Sequence, residues 1–264
     1  MQPVIKWSGS KRHIATQICS YIDFNYNCYY EPFIGGGSIL YTLNPAKAVC
    51  SDILPELIDL WILIRDNPQS LLDSYAKKWN QFKNDKQFYY NIREQFNKYR
   101  KPDDFFFLLR TCANGLVRFN SKGEFNVAVH HNRNGITPDN LKKILFDWSS
   151  KINSHQFLCR DYTNILDDVS PGDLVYLDPP YFHTKTMYSN NISKEDLFNL
   201  LEQLNSKDVK WLLNLDGTNG DTSFVVDVPK DLYKEHILIE NGICGFHKLK
   251  NLNSKIAESL YKNF

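Results

Sequence analysis

Residues 170–181 constrain the fold of this chain more than any other stretch. The turn signal Ser-Pro-Gly-Asp at residues 170–173 precedes a short apolar run at residues 174–177, which has the composition of a buried strand. An acidic residue, Asp178, follows this run directly. Because open α/β sheets bind their ligands beyond the carboxyl ends of the strands, we predict such a sheet, with a functional corner at Asp178.

The predicted corner consists of Asp178, Pro179, Pro180 and Tyr181. Each proline fixes φ near −65° and lacks an N–H group, so the turn is stiff and presents carbonyl acceptors without competing donors. The carboxylate and such a carbonyl can accept both hydrogens of an amine on a heteroaromatic ring, which frees the delocalised lone pair for attack on an electrophilic methyl group. Tyr181 can stack on the ring, a contact worth about 1–3 kcal/mol per base. The alternative is structural, with Asp178 as a helix cap and Tyr181 as packing.

A glycine turn is the second predicted ligand site. Strand-like residues 28–33 lead into Ile-Gly-Gly-Gly-Ser at residues 34–38 and then into a helix start, a pattern that lets a ligand approach backbone N–H groups. It is not a dinucleotide fingerprint, because Leu40 occupies the place of the last glycine, and no Lys-Ser/Thr pair follows. A nucleotide-like ligand without a pyrophosphate fits better.

Two further segments are typical of ligand binding. Asp52 ends a second predicted strand, residues 48–52, where an acid commonly binds ribose hydroxyls; capping of the helix that follows is the alternative, and both roles can coexist. Residues 6–11, Lys-Trp-Ser-Gly-Ser-Lys, form a small-residue turn in which Ser8 or Ser10 is predicted to cap a helix that runs to about Tyr21. The lysines favour a bound anion or are simply solvated.

The middle of the chain predicts helices and then a hairpin. Residues 55–115 are mostly helical by periodicity, and their aromatic residues are predicted to be core. Residues 114–127 alternate on both sides of an Asn-Ser-Lys-Gly turn, which indicates a β-hairpin. Between residues 110 and 143, six cations face only two acids, a balance that suits phosphate contacts and base readout, or equally a solvated loop.

The rest of the chain completes the predicted sheet. Residues 156–162 form a strand that ends in Asp161-Tyr162, Ser193 caps a helix to about Leu204, and residues 209–215 form a central strand. A basic segment covers residues 247–255.

Length, charge and cysteine content limit the classes of protein to which this chain can belong. A chain of 264 residues with 42% hydrophobic content forms one large domain or a domain with an insertion. The net charge of +1 excludes a strongly basic nucleic-acid protein but allows a local basic patch. The six cysteines lack metal-ligand spacing, and no apolar run reaches the roughly 18 residues of a membrane span. We therefore expect a cytoplasmic protein without a metal and without a membrane segment.

Taken together, these motifs resemble the Dam-type DNA adenine-N6 methyltransferases, which use S-adenosyl-L-methionine and carry an Asp-Pro-Pro-Tyr motif. The resemblance covers nearly the whole chain and keeps the family order of cofactor motif, recognition insertion and catalytic motif. It implies catalysis by Asp178, Pro179, Pro180 and Tyr181. It implies cofactor binding by Lys6, Trp7, Lys11, Glu31, Phe33, Gly35, Gly37, Ser38, Asp52, Asp161 and Tyr162. It implies DNA binding by Asn114, Arg118, Asn120, Lys122, Asn126 and Arg133, with Arg118 as the guanine contact.

The resemblance also implies an architecture and partners. The expected fold is α/β, with a Rossmann-like methyltransferase domain at residues 1–55 and 151–264 that has a mixed, mostly parallel sheet. A mainly helical target-recognition subdomain with the β-hairpin is expected at residues 56–150. Duplex DNA with a flipped-out adenine is the implied substrate, and a cognate restriction endonuclease that shares the site is a further suggested partner.

Two positions depart from the family pattern. Ser10 stands where the family usually has glycine, and residues 128–132 read Ala-Val-His-His-Asn where it usually continues Pro-Phe-Gly. The recognition sequence GATC is therefore not carried over. Methylation of RNA or of a protein glutamine remains an alternative, as does a DNA-binding module without catalysis, whereas Leu40 disfavours a dinucleotide oxidoreductase.

Overall fold

Short apolar runs form the centre of a mixed sheet in the computed structural model, which describes residues 1–182, 192–243 and 255–264. The basic segment predicted at residues 247–255 lies outside the described residues up to residue 254. The described strands are β1 (Tyr29–Glu31), β2 (Ala48–Asp52), β3 (Gln156–Cys159), β4 (Leu174–Leu177), β5 (Lys210–Asn219), β6 (Thr222–Ser223), β7 (Glu235–Ile243) and β8 (Lys255–Lys262).

The strand order is β3-β2-β1-β4-β5-β8-β7, with β6 paired to β5. Strands β1 to β5 pair in parallel along this path, whereas β8 pairs antiparallel with both β5 and β7. The predicted mixed and mostly parallel α/β sheet is therefore confirmed. The chain leaves β1 toward β2 on one side and leaves β4 toward β5 on the other, so their carboxyl ends meet at a topological switch point, where open sheets bind ligands.

Both faces of the sheet are buried, which explains why its central strands are continuous apolar runs. Successive residues of β4 alternate between two cores: Leu174 and Tyr176 face one, and Val175 and Leu177 face the other. This burial fixes the register of β4, because a slip of one residue would exchange the two faces.

The helices cover these faces. They are α1 (Ala15–Cys19), α2 (Ser38–Leu43), α3 (Pro55–Asp66), α4 (Pro68–Phe82), α5 (Gln87–Tyr99), α6 (Pro102–Thr111), α7 (Pro138–Ile152) and α8 (Lys194–Ser206), with 3-10 turns at Ala113–Gly115 and Tyr162–Asp167. Ser193 caps α8 as predicted, since its side chain accepts the Asp196 N–H.

The predicted cap of the first helix is wrong. Helix α1 begins only at Ala15, after Ile14, and no side chain caps it. The two serines make tertiary contacts instead: the Ser10 and Ser38 hydroxyls lie 2.7 Å apart, and Ser8 Oγ accepts the Val117 N–H at 3.2 Å. These serines tie the first turn to α2 and to the hairpin segment.

The predicted hairpin at residues 114–127 is antiparallel but has no regular strands. Inside the segment Phe119 forms an isolated antiparallel bridge with Phe125, and just outside it Cys112 forms another with Val129. Asn120 holds the tip, because its Oδ1 accepts the N–H groups of Lys122 and Glu124, both at 2.9 Å. The Asn120 side chain therefore makes hydrogen bonds to the backbone at the tip of the hairpin, where regular strand pairing is missing.

Helices α3 to α7 share one core with the sheet. Trp61 of α3, Phe105 of α6 and Trp148 of α7 are fully buried and belong to the same apolar cluster as Tyr29 of β1 and Leu212 of β5. The division at residues 55 and 150 into a catalytic and a recognition domain stays a prediction.

Candidate active site

The glycine turn after β1 is held between tryptophan side chains. A Cβ atom on Gly35 would lie 2.8 Å from Trp7 Cδ1, and one on Gly37 would lie 3.0 Å from the Trp61 ring. Trp61 Nε1 also donates to the Gly35 carbonyl at 3.1 Å. Gly37 has φ +64°, a conformation that favours glycine, so both the close packing and the backbone require residues without a side chain here.

This turn and the Asp178 corner line one cleft of about 1540 Å³. The cleft lies at the switch point between β1 and β4, as the strand order requires. The predicted site residues that line it are Trp7, Lys11, Glu31, Phe33, Gly35, Gly37, Ser38, Asp52, Asn120, Asp161, Tyr162, Asp178, Pro179, Pro180 and Tyr181. The structure therefore brings the predicted catalytic corner and nearly all predicted cofactor residues into one space.

Lys11 contacts two residues of the corner, Asp178 and Tyr181. Its ammonium lies 2.9 Å from Asp178 Oδ1 and donates to the Tyr181 hydroxyl at 2.6 Å, although only 4% of the side chain is exposed. Burial lowers the pKa of Lys11, but the negative groups around it outweigh burial and raise the pKa well above its ordinary value. Lys11 is therefore a permanent cation beside the predicted catalytic carboxylate.

Burial raises the pKa of Asp178 to about 6. Lys11 offsets part of this effect, whereas Glu258 and Asp216 add to it by repulsion. Asp178 is therefore ionised at neutral pH and can accept hydrogen bonds there.

Glu31 and Asp52 are two further buried carboxyls that line the cleft. Burial raises the pKa of Glu31 to about 8, although the Tyr29 hydroxyl donates to it at 2.8 Å. Burial raises the pKa of Asp52 to about 6, and the Leu54 and Gly35 N–H groups, which donate to its two oxygens, limit the shift. Buried carboxyls that line a cleft can receive a cationic or hydroxyl-bearing ligand.

Comparison with known proteins decides the family. A family model described as "D12 class N6 adenine-specific DNA methyltransferase" matches residues 7–244. The chain belongs to this family. The predicted resemblance is therefore confirmed, and the chain is an adenine-specific DNA methyltransferase.

Relatives of this D12 methyltransferase agree with that assignment. The type II methyltransferase M1.LlaDCHI of Lactococcus lactis subsp. cremoris is 28% identical and covers 100% of this chain and 96% of its own. The type II methyltransferase M.MjaIII of Methanocaldococcus jannaschii is 32% identical and covers 69% of each chain. The DNA adenine methylase of Haemophilus influenzae is 30% identical and covers 68% of this chain and 64% of its own.

The predicted DNA-binding residues of the methyltransferase lie mostly outside the cleft. Asn114, Arg118, Lys122 and Arg133 are exposed, and Arg118 Nε donates to Asn126 Oδ1 at 2.8 Å. Lys6 does not line the cleft either, and its Cβ would be 3.1 Å from a Cβ on Gly115. Its role in cofactor binding stays a prediction. Burial and then repulsion by Arg110 lower the pKa of Lys6.

The sequence analysis did not identify three residues at the site, which are Glu258, Tyr176 and Asn214. Asn214 Nδ2 donates to Glu258 Oε2 at 2.6 Å. Glu258, on β8, lies 3.3 Å from the Lys11 ammonium and accepts from the Tyr181 hydroxyl at 3.0 Å. Tyr176 lines the cleft, and its buried hydroxyl has no hydrogen-bond partner among residues 1–182, 192–243 and 255–264. The sequence of β8 does not alternate between apolar and polar residues, so no local pattern marked Glu258 as buried.

The described part of the chain lacks two structural features. It contains no group of three or more His, Cys, Asp or Glu side chains that could hold a metal ion. It also contains no helix that is long and apolar enough to cross a bilayer.

Proposed function

We propose that this methyltransferase transfers a methyl group from S-adenosyl-L-methionine to adenine N6 at the corner formed by Asp178, Pro179, Pro180 and Tyr181. One observation carries the proposal: the corner after β4 and the glycine turn after β1 open into one cleft. A target base and a cofactor that are bound to these two turns would therefore meet.

The cleft fits the proposed cofactor. S-Adenosyl-L-methionine carries an ammonium and a sulfonium charge, and the cleft offers Glu31 and Asp52 as acidic partners. The glycines of the turn at residues 35–37 let its backbone pack closely against Trp7 and Trp61. The Phe33 and Tyr162 rings, stacked at 5.3 Å, offer an aromatic surface to an adenine ring. When bound, the cofactor supplies an electrophilic methyl group and a neutral thioether leaving group, so the reaction needs no metal.

The remaining cofactor residues shape the cleft around these groups. Trp7 packs against Gly35 and Gly36, and Ser38 is held by the Ser10 hydroxyl. Asp161 Oδ1 accepts the Thr163 N–H at 2.9 Å and so fixes the turn that carries Tyr162. These contacts orient the cofactor-binding surface before any ligand arrives.

Asp178 accepts one N6–H hydrogen bond of the target adenine, and the Pro179 carbonyl accepts the other. Two acceptors draw N6 toward tetrahedral geometry and stabilise the positive charge that develops on it. After the N–C bond forms, N6 carries one proton too many, and Asp178, ionised above its pKa of about 6, can take it. Tyr181 stacks on the extruded ring.

The exposed cations outside the cleft supply the proposed contacts to duplex DNA. Arg118 would read a guanine edge, while Lys122 and Arg133 would bind phosphates. Asn114, Asn120 and Asn126 would add hydrogen bonds to bases or backbone. The type II names of two relatives also support a cognate restriction endonuclease as the partner of this enzyme.

The Asp178→Ala variant tests the proposal. We expect it to lower the methylation rate by about 10³-fold or more, because one of the two acceptors for N6 is lost, while the cofactor Kd stays within about threefold. Transfer of a labelled methyl group to duplex DNA gives the rate, and calorimetric titration gives the Kd. Asp167→Ala, an acid outside the cleft, is the control and should keep full activity.

The same labelled assay separates the substrates. DNA, RNA and protein are offered in parallel, and modified DNA is sequenced for N6-methyladenine. Turnover by Asp178→Ala at the wild-type rate contradicts the catalytic assignment, and labelling of RNA alone contradicts the substrate assignment.

A further inference from the structure

Glu258 is a buried carboxylate that the proposed mechanism does not use. It lies near the middle of β8, opposite Asp216 of β5, and it is 8% exposed. Both oxygens are held: Asn214 donates to Oε2 at 2.6 Å, and Asn241 donates to Oε1 at 2.5 Å. A carboxylate held this firmly inside a sheet needs an explanation, since burial of a charge is costly unless it is paired.

Its charge partner is Lys11. The Lys11 ammonium lies between two carboxylates, 2.9 Å from Asp178 Oδ1 and 3.3 Å from Glu258 Oε2. The Tyr181 hydroxyl completes the group, because it receives a hydrogen bond from Lys11 at 2.6 Å and donates to Glu258 at 3.0 Å. Two anions therefore share one cation directly beside the predicted catalytic oxygen.

This sharing bears on how Asp178 works. An acceptor that is occupied by an ammonium 2.9 Å away is a weak acceptor for an amino group, because the cation neutralises its charge. If the Lys11 ammonium simply moved away from Asp178, it would become a buried charge without a partner. A second carboxylate within reach of the same ammonium removes this conflict.

We propose that Glu258 is a positioning residue that takes over the Lys11 ammonium while Asp178 accepts the target amino group. The proposal rests on the function proposed above for Asp178. Asn214 and Asn241 keep the Glu258 oxygens in place, so that the ammonium moves toward a fixed anion. The Tyr181 hydroxyl contacts both Lys11 and Glu258, and the target base is proposed to stack on the Tyr181 ring. Tyr181 therefore connects the movement of the ammonium with binding of the base.

Several charged or titratable groups in the described part of the chain act on Asp178 or are acted on by it. Lys11 lowers its pKa, Glu258 and Asp216 raise it, and the Asp178 charge in turn raises the pKa values of Glu31, Tyr176 and Tyr181. Removal of the Glu258 charge therefore removes repulsion from Asp178 and leaves Lys11 wholly to Asp178. Both effects lower the pH at which Asp178 loses its proton.

The Glu258→Gln variant of the full chain tests this inference, because the amide can still accept hydrogen bonds but carries no charge. We expect the single-turnover methylation rate at pH 7.5 to fall by about tenfold or more, with the cofactor Kd within about threefold of wild type. We also expect the acid limb of the pH–rate profile to move to lower pH by about half a unit or more. A merely structural role would lower the rate without moving this limb.

Two variants complete the test. Glu258→Asp keeps the charge, so its acid limb should stay at the wild-type pH even if the rate falls. Glu202→Gln, an exposed acid on α8, should leave both the rate and the limb unchanged. An acid limb that is the same in Glu258→Gln and wild type, or that moves upward, overturns the inference.

The outcome separates this inference from the proposed function. If the wild-type enzyme methylates DNA and Asp178→Ala does not, the proposed function stands whatever Glu258→Gln does. If Asp178→Ala turns over like wild type, the proposed function fails first.

Discussion

Glu31 shows what a single buried side chain does to this enzyme. The fold buries its carboxyl completely, and burial raises its pKa from 4.5 to about 8. The pKa of Glu31 is higher in the folded chain than in the unfolded chain. Its contribution to the stability of the fold is therefore fully present below about pH 4.5 and is lost as the pH rises through about 8. Glu31, which is proposed to receive a cationic cofactor, therefore destabilises the cofactor-free protein at high pH.

We predict that Glu31→Gln flattens this dependence. The amide can still accept the Tyr29 hydroxyl hydrogen bond but never ionises, so the melting temperature should fall less between pH 5 and pH 9 than in wild type. Calorimetric scans across this range measure the effect, with the exposed Glu195→Gln as control. Parallel curves for Glu31→Gln and wild type would contradict the prediction. The same variant should bind the cofactor more weakly, a trade of function for stability.

The glycine turn after β1 is the element on which the cleft depends. Gly37 combines φ +64° with Trp61 ring atoms 3.0 Å from a Cβ position, whereas Gly123, at the tip of the hairpin segment, has φ +74° and no atom within 4 Å. Both positions therefore strain an alanine through the backbone, but only Gly37 adds a steric clash.

This difference predicts the outcome of a matched pair. Gly123→Ala should lower the free energy of unfolding by roughly 1–2 kcal/mol, the cost of the left-handed conformation. Gly37→Ala should lower it by a further 1–3 kcal/mol or so, because the tryptophans must move, and it should weaken cofactor binding. Urea denaturation measures both changes, and equal losses in the two variants would show that the tryptophan contacts do not constrain the turn.

At the scale of the whole molecule, the sheet and the helices between β2 and β3 share one core. Trp61 and Trp148 stand at this junction, with ring centroids 5.3 Å apart, and Trp61 stacks on Phe157 of β3 at 5.5 Å. Apolar contacts that run without a break from helices to sheet couple their unfolding.

We therefore predict one cooperative unfolding transition for the chain. Tryptophan fluorescence, which reports the five tryptophans of the helices, the sheet and the first turn, and far-ultraviolet circular dichroism, which reports all helices, should give the same urea midpoint. Two separate midpoints, with helical signal lost first, would instead support an independent recognition domain at residues 56–150.

Features that depend on residues close together in the chain were predicted from the sequence. The β4 strand with its Asp178 corner, the glycine turn and the Ser193 cap depend on residues that are neighbours in the chain, so composition and spacing were sufficient to predict them. The resemblance to the family added the expectation that these turns share one cleft. The structure meets it, because a strand order that brings β1 beside β4 also brings their loops together.

Only the tertiary structure decided how distant side chains are shared. Ser8 and Ser10 were predicted as helix caps because their local pattern allows it, but contacts with Val117 and Ser38 hold them elsewhere. Lys6 and Lys11 belong to one short motif, yet Lys6 packs by the hairpin segment and Lys11 reaches Asp178. The position of Glu258 beside Lys11 follows from the pairing of β8 with β5, and no local pattern encodes that pairing. Buried charges are placed by partners from other elements, and those partners are adjacent only in the folded chain.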